Sequence, residues 1–341
     1  MALRNQQKQL VEKHKFTENG TSVTEIPLDN MIRRMILFFS ITISAGATAP
    51  SQPKNNDFLN LIKKMRLVLE GDENKFNLDA VTKYYVDLYE LGEYPLKSNL
   101  PTLTANQTRT VQYVAVFDFA TARKLIKDYT ALLNNARYSS MHLEIDWGAI
   151  TDIYSTRGTA SITSATECQI SLIEAYEDGN TIEGVPNDSE EFRNSLLDIR
   201  EGTLETQVDR AYNSYDDDAL EVDVSPAASR IFSQMIFPRE NITDGNPAFA
   251  NDVVSQIKLL NTRGPTRTFL QNYFTHLRAQ NKTDYNLATL PTGMAYFDWL
   301  DDRQRGLDNI NADELKFRFL TKAPASGKKN GIRLYTKYVP N

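Results

Sequence analysis

The chain has 341 residues, 41% of them apolar and 24% charged, which excludes a disordered polymer and leaves room for two domains that each bury a core. A formal net charge of −6 argues against a general nucleic-acid binder, and the most apolar run, MILFFSITI at 35–43, is about half the roughly 20 residues of a spanning helix. The single cysteine excludes an internal disulfide.

Residues 1–20 read as a basic arm. Arg4, Lys8, Lys13 and Lys15 stand against Glu12 alone among the acids of the first 16 residues, so this stretch carries +3 and the remainder about −9. Its apolar content, Leu3, Leu10, Val11 and Phe16, cannot support a fold, so the arm is expected to be removable without unfolding the rest. It is polar and basic where a signal peptide would be apolar, which argues against secretion by that route.

The first domain is expected to span 21–180, opening with VTEIPL and a strand at 32–44. Gly46, Pro50 and Pro53 make 45–57 a loop. Between 61 and 69, Met65, Leu67 and Leu69 alternate with Lys64, Arg66 and Val68, the pattern of a strand with one wet face. GDEN at 71–74 is a turn, and after it Leu78, Val81, Tyr85 and Leu88 share one face of a helix that Asp79 or Asn77 can cap. VQYVAVFDF at 111–119 is an aromatic strand. Leu125, Tyr129 and Leu132 carry helical spacing through 121–138, and Met141, Leu143, Ile145 and Trp147 then alternate with His142, Glu144 and Asp146. In the closing stretch, 159–176, Cys168 falls with Ile170 and Leu172 on an apolar face, which predicts a buried, inert thiol.

Residues 181–218 read as an acidic connector with a short helix around 192–199, its last residues free to add a strand to the second sandwich. The second domain, 219–341, repeats the grammar of the first: a strand at 253–260, a turn at Gly264 and Pro265, then a helix with Leu270, Tyr273 or Phe274, and Leu277 inward. The likeness is one of phrasing as well as order. PLDNMIRRMILF at 27–38 resembles PAASRIFSQMIF at 226–237, 199 residues on. MRLV at 65–68 resembles IKLL 192 residues on; Phe117, Asp118 and Phe119 meet Phe297, Asp298 and Trp299 at 180; LEIDW at 143–147 meets LKFRF at 172; ISLIEAY at 170–176 meets IRLYTKY at 162. Offsets that fall steadily describe one β domain written twice, with shorter loops in the second copy. The fold class is all-β, two tandem β-sandwiches with short helices in the loops.

Catalysis finds little material. The three histidines are His14 in the arm, His142 on a wet strand face and His276 on a helix, and no HExxH, CxxC, GxSxG or phosphate-loop pattern occurs. The carboxylate runs at 216–218 and 301–302 lack EF-hand spacing. No catalytic residue, cofactor-binding residue or metal ligand is assigned, and no enzyme activity is expected. Recurrence of Asp118 as Asp298 points to a role in the fold. The sequons at Asn19, Asn106, Asn241 and Asn281 bear on function only with a secretory route.

The tandem sandwiches, the helix after the same strand in each, FDF and FDW in matching strands, and LLNNARYSSMHLEIDWG at 132–148 resemble the double jelly-roll major capsid proteins of tailless icosahedral viruses of bacteria and archaea, most of which enclose a membrane. The resemblance spans about 21–339. It implies a structural protein of the virion, made in the host cytoplasm, that forms a homotrimer whose six jelly rolls make a pseudo-hexagonal capsomer of the capsid lattice. Penton or other capsid proteins become expected partners, and Arg4, Lys8, Lys13 and Lys15 become an interior-facing arm that touches the internal membrane or a neighbouring subunit. Two alternatives stay open: a carbohydrate-binding or carbohydrate-cleaving tandem jelly roll, since that fold is common there, and a minor capsid or vertex protein.

Overall fold

The structure, a computed structural model, describes residues 3–28, 31–71, 73–119, 133–134, 138–177, 181–182, 185–186, 204–212, 220–223, 229–261, 267–299, 307–309 and 315–340. The chain divides into two compact units, the first made of 1–87 and 94–204, the second of 88–93 and 205–341.

The first unit contains β1 (Leu3–Lys15), β2 (Thr21–Glu25), β3 (Met31–Ser44), β4 (Ile62–Leu69), β5 (Glu73–Leu78), helix α1 starting at Ala80 (Ala80–Leu91), β6 (Thr108–Asp118), β7 (Met141–Trp147), the single turn α2 (Ile150–Ile153) and β8 (Glu167–Glu177). These make two antiparallel sheets, one in the order β1-β8-β3-β6 and the other β5-β4-β7-β2. Strict alternation produces the sandwich. On β3 the side chains of Ile32, Met35, Leu37, Phe39, Ile41 and Ile43 are fully buried, and β7 buries Met141, Leu143, Ile145 and Trp147 while His142, Glu144 and Asp146 face water. The two inner faces meet through aromatics: Phe39 of β3 is edge-on to Trp147 of β7 at 5.9 Å, and Phe76 of β5 stacks on Phe117 of β6 at 3.7 Å between centroids. Cys168 is buried beside Ile170 and Leu172, as its alternation predicts.

Asp79 caps α1, its Oδ1 accepting the Thr82 N–H at 2.7 Å. The helix buries more than an apolar stripe. Lys83 and Asp87 form a fully buried i,i+4 ion pair at 3.0 Å, Asp87 Oδ2 accepts the Val116 N–H of β6 at 3.1 Å, and the Lys83 ammonium lies 4.5 Å from the Phe117 ring centre. Tyr85, placed inward by the sequence pattern, is half-buried, and Val86 and Tyr89 take its place.

The second unit contains β9 (Leu204–Tyr212), β10 (Leu220–Asp223), β11 (Ser229–Glu240), β12 (Val254–Asn261), β13 (Arg267–Tyr273), helix α3 (Phe274–Asp284), β14 (Ala295–Asp298), β15 (Leu315–Thr321) and β16 (Asn330–Pro340). One sheet places β16 between β11 and β9, with β14 also on β11; the other runs β10-β15-β12-β13. Phe297 of β14 and Phe317 of β15 meet across the core at 5.8 Å.

The structure departs from the sequence reading in several places. Residues 3–15 are no detached arm but a strand paired along β8, from Leu3 opposite Glu177 to Lys15 opposite Glu167. In both units a strand the pattern missed, β5 or β13, precedes the helix; Lys75 is buried beside Phe76, which hides the alternation of β5, and Leu270 belongs to β13, not to α3, in which Phe274 and Leu277 are buried while Tyr273 is exposed. The stretch assigned to the connector holds the nine-residue β9, and the units divide at 204/205. Of the helical segment expected over 121–138, residues 133–134 instead pair with Met31 and Ile32 of β3; 121–132, the helix expected at 192–199 and the acidic runs at 216–218 and 301–302 lie outside the described residues.

Candidate functional site

The site to build is the seat of β1, which carries the candidate site residues Arg4, Lys8, Lys13 and Lys15. Lys13 and Lys15 project to one carboxylate, Glu167 of β8, at 2.6 and 3.0 Å. The hydrogen bond from Lys13, seconded by those from Lys15 and Gln169 and opposed by burial, holds Glu167 down at about 2. Lys8 lies 3.9 Å from the buried Glu174, and Gln7 and Gln9 bond Ser171 and Gln169, each at 3.0 Å. Arg4 stands opposite Tyr176 in the strand register; its side chain lies outside the described residues. The Lys8, Lys13 and Lys15 side chains that the sequence offers to a partner are thus turned along β8.

On the inner face of β1 the sequence missed what matters most. His14, read as part of the detachable arm, is buried, with Nδ1 3.0 Å from the Ser22 hydroxyl of β2, and that hydroxyl also accepts the indole N–H of Trp147 at 2.9 Å. Phe16 then packs edge-on against the same indole at 5.7 Å. Burial drives the imidazole down to about 4, the backbone of Ser22 pulling the other way. The signal available in the sequence was the spacing of Leu10 and His14, which are buried among the described side chains of β1, too sparse to read as period two. The other histidines are surface groups: His142 Nε2 is 3.2 Å from Glu144, and His276 is exposed, edge-on to Tyr273 at 5.3 Å.

The repeated FDF and FDW occupy equivalent ladders. Phe117 stands opposite Met35 and Asp118 opposite Arg34 on β3; Phe297 stands opposite Gln234 and Asp298 opposite Ser233 on β11, partners that lie 199 residues apart, as the sequence match does. After each, the chain makes the same bond: Phe119 N–H to the Arg33 carbonyl and Trp299 N–H to the Phe232 carbonyl, both at 2.9 Å. Phe117, Phe119 and Phe297 are core, and the half-buried Trp299 donates its indole N–H to Gln234, itself bonded to Thr336. A sugar platform would need these rings exposed. Among the described residues the exposed large apolar side chains are instead Val23, Leu91, Tyr94, Leu96 and Tyr273. Among those residues, too, there is no cluster of three or more metal-ligating side chains, and no helix is long and apolar enough to cross a membrane.

No family model and no curated protein matches the chain. Solved structures do. The chain is similar to the major capsid protein of Sulfolobus Turreted Icosahedral Virus, at 16% identity and TM-score 0.72 over 98% of this chain and 97% of that one. It is also similar to the faustovirus major capsid protein, at 9% identity and TM-score 0.58 over 98% and 90%, and to the major capsid protein P2 from bacteriophage PM2, at 10% identity and TM-score 0.55 over 99% of both chains. Likeness at such identities is likeness of fold, and it runs through both units: the chain is a double jelly roll.

Proposed function

We propose that this chain is the major capsid protein of an icosahedral virion, a structural protein rather than an enzyme. The observation that carries the reading is the strand ladder written twice in one chain, together with a likeness to three viral major capsid proteins that covers nearly all of it. A chain with two similar wedges becomes a six-cornered block when three copies close around one axis. The partners are therefore other copies of the chain, first in a homotrimer and then in a capsid lattice, with a penton protein needed where five rather than six neighbours meet. Obligate contacts of this kind bury on the order of 2,000 Å² or more.

Light scattering on the purified chain tests it, with three chain masses and a pseudo-hexagonal outline in electron micrographs as the expected result. A monomer across a wide concentration range defeats it. On the same reading the basic strand β1 faces the shell interior or its membrane. Near an anionic surface each basic residue adds about 1 kcal/mol, enough for an assembled shell and too little for one chain. Reversing Arg4 and Lys8 to Glu should leave soluble trimers intact and weaken enclosure of anionic vesicles as particles assemble; unchanged enclosure refutes that orientation.

A further inference from the structure

We propose that β1 is an acid-releasable strand, held at the edge of the first unit by a neutral His14 and freed from β8 when that imidazole becomes imidazolium. The inference concerns the first unit's own fold and stands or falls apart from the capsid reading.

β1 is terminal in its sheet, so β8 alone holds its backbone on one side, and edge strands open at lower cost than interior ones. Its register breaks between Gln9 and Lys13, which leaves Lys13, His14 and Lys15 as a short separate ladder against Gln169, Cys168 and Glu167. His14 is the buried anchor of that ladder. The Ser22 hydroxyl that accepts the Trp147 indole N–H shares one further hydrogen bond with Nδ1, as donor or acceptor according to the ring's tautomer. Nε2 is buried with no hydrogen-bond partner among the described residues. The imidazolium carries a proton on both nitrogens, so from either tautomer it is a buried cation with the Nε2 N–H unanswered.

The titratable groups on the strands packed against His14 offer no compensating charge. Cys168, directly opposite on β8, is a neutral thiol pushed well up by burial and, secondarily, by Glu167. Glu167 is on the outer face and held by Lys13 and Lys15. Glu25 of β2 is exposed, and His142, Glu144 and Asp146 of β7 alternate to the wet face, the two carboxylates with Arg66. Glu174, with Lys8 beside it, lies six residues further along β8, about 20 Å away. Opposite Cys168 on β3 stands Phe39.

The sign comes from linkage. A ring at its ordinary 6.5 in the released strand and at about 4 in the seated one takes its proton preferentially on release, so seating is at full strength above 6.5 and weakens as pH falls toward 4. Between about pH 7.5 and about pH 4.5 the equilibrium moves toward release by about 70-fold.

Hydrogen exchange on the full chain at those two pH values, corrected for intrinsic rates, tests the device in the wild type, His14→Gln and His14→Met. In the wild type the amides of β1, and those of β8 that bond to β1, should lose about 70-fold in protection at about pH 4.5 while β3 and β6 keep theirs; both variants should hold β1 equally at the two pH values. Unchanged wild-type protection overturns the proposal. Equal loss in wild type and variants overturns it as well, since release is then not linked to His14. Should neither variant fold, the ring's own titration by NMR in the wild type decides: its midpoint in the seated strand lies near 4, where the loss of protection that sets in near 6.5 levels off, and a midpoint near 6.5 overturns the proposal.

Discussion

Arg34 and Asp118 face each other across β3 and β6, guanidinium Nε to carboxylate at 3.0 Å, whereas the positions that answer to them in the second unit, Ser233 and Asp298, face each other in the same register without a charge pair. Asp298 instead has the Tyr285 hydroxyl at 3.5 Å. What recurs between the units is therefore the ladder and its closing backbone bond, not the ion pair. Both carboxylates are on wet faces, and Asp118→Asn should cost no more than about 1 kcal/mol in a denaturant titration.

The aromatic beside each aspartate is another matter. Phe117 is fully buried between Phe76 and the Lys83 ammonium, and Phe297 is buried against Phe317. Alanine at either position should cost about 3–5 kcal/mol through lost burial and the cavity left behind. A loss below about 1 kcal/mol at either site, read from denaturant midpoints, would show that the repeat does not place the ring in the core.

Replacing Asp87 by Asn keeps an oxygen to accept the Val116 N–H but removes the negative charge that faces the buried Lys83 ammonium. Asp87→Asn should destabilise by about 3–5 kcal/mol, and the double change Lys83→Met with Asp87→Leu should recover a large part of that loss, because apolar packing spares the desolvation of both charges. Stability of the double variant below that of the single one contradicts this account.

The arm expected to be dispensable is now expected to matter. Leu10→Ala should cost about 2 kcal/mol, and deleting residues 2–15 should cost more and lower the melting temperature, because Leu10 and His14 leave the core and β8 loses half its ladder. An unchanged melting temperature on deletion would restore the detached arm.

Glu167 sets a second pH dependence, opposite in origin to that of His14. Its folded value of about 2 lies below its ordinary 4.5, so its contribution is complete above 4.5 and fades as pH falls through 2. Glu167→Gln should therefore lose about 0.5–1 kcal/mol at neutral pH. The gap to wild type should close in acid and narrow in high salt, both visible in paired thermal melts.

Period-two alternation is local chemistry, and the sequence alone determined the strands that carry it: 32–44, 111–119 and 139–147, the buried Cys168, and the order of matching segments that made two similar units legible before any coordinates. Asp79 as a cap was equally local. Tertiary structure decided whatever depends on a partner far along the chain. β1 is polar and sparse, and only pairing with β8 makes it a strand; His14 went with the detachable arm because Ser22 and Trp147, which bury it, stand 8 and 133 residues away. Lys83 and Asp87 were not among the residues the helical pattern turned inward, and their burial rests on each other and on the Val116 N–H and Phe117 ring of β6. Register also escaped the sequence. Ile170 stands opposite Leu37, whereas Ile332 stands opposite Pro238, two residues past the counterpart of Leu37, and the slip is the same on either side of the bulges at Ile173/Glu174 and Ile231/Ser233. A slip of two keeps every side chain on its own face, so the hydrophobic pattern that reveals the strands is blind to it.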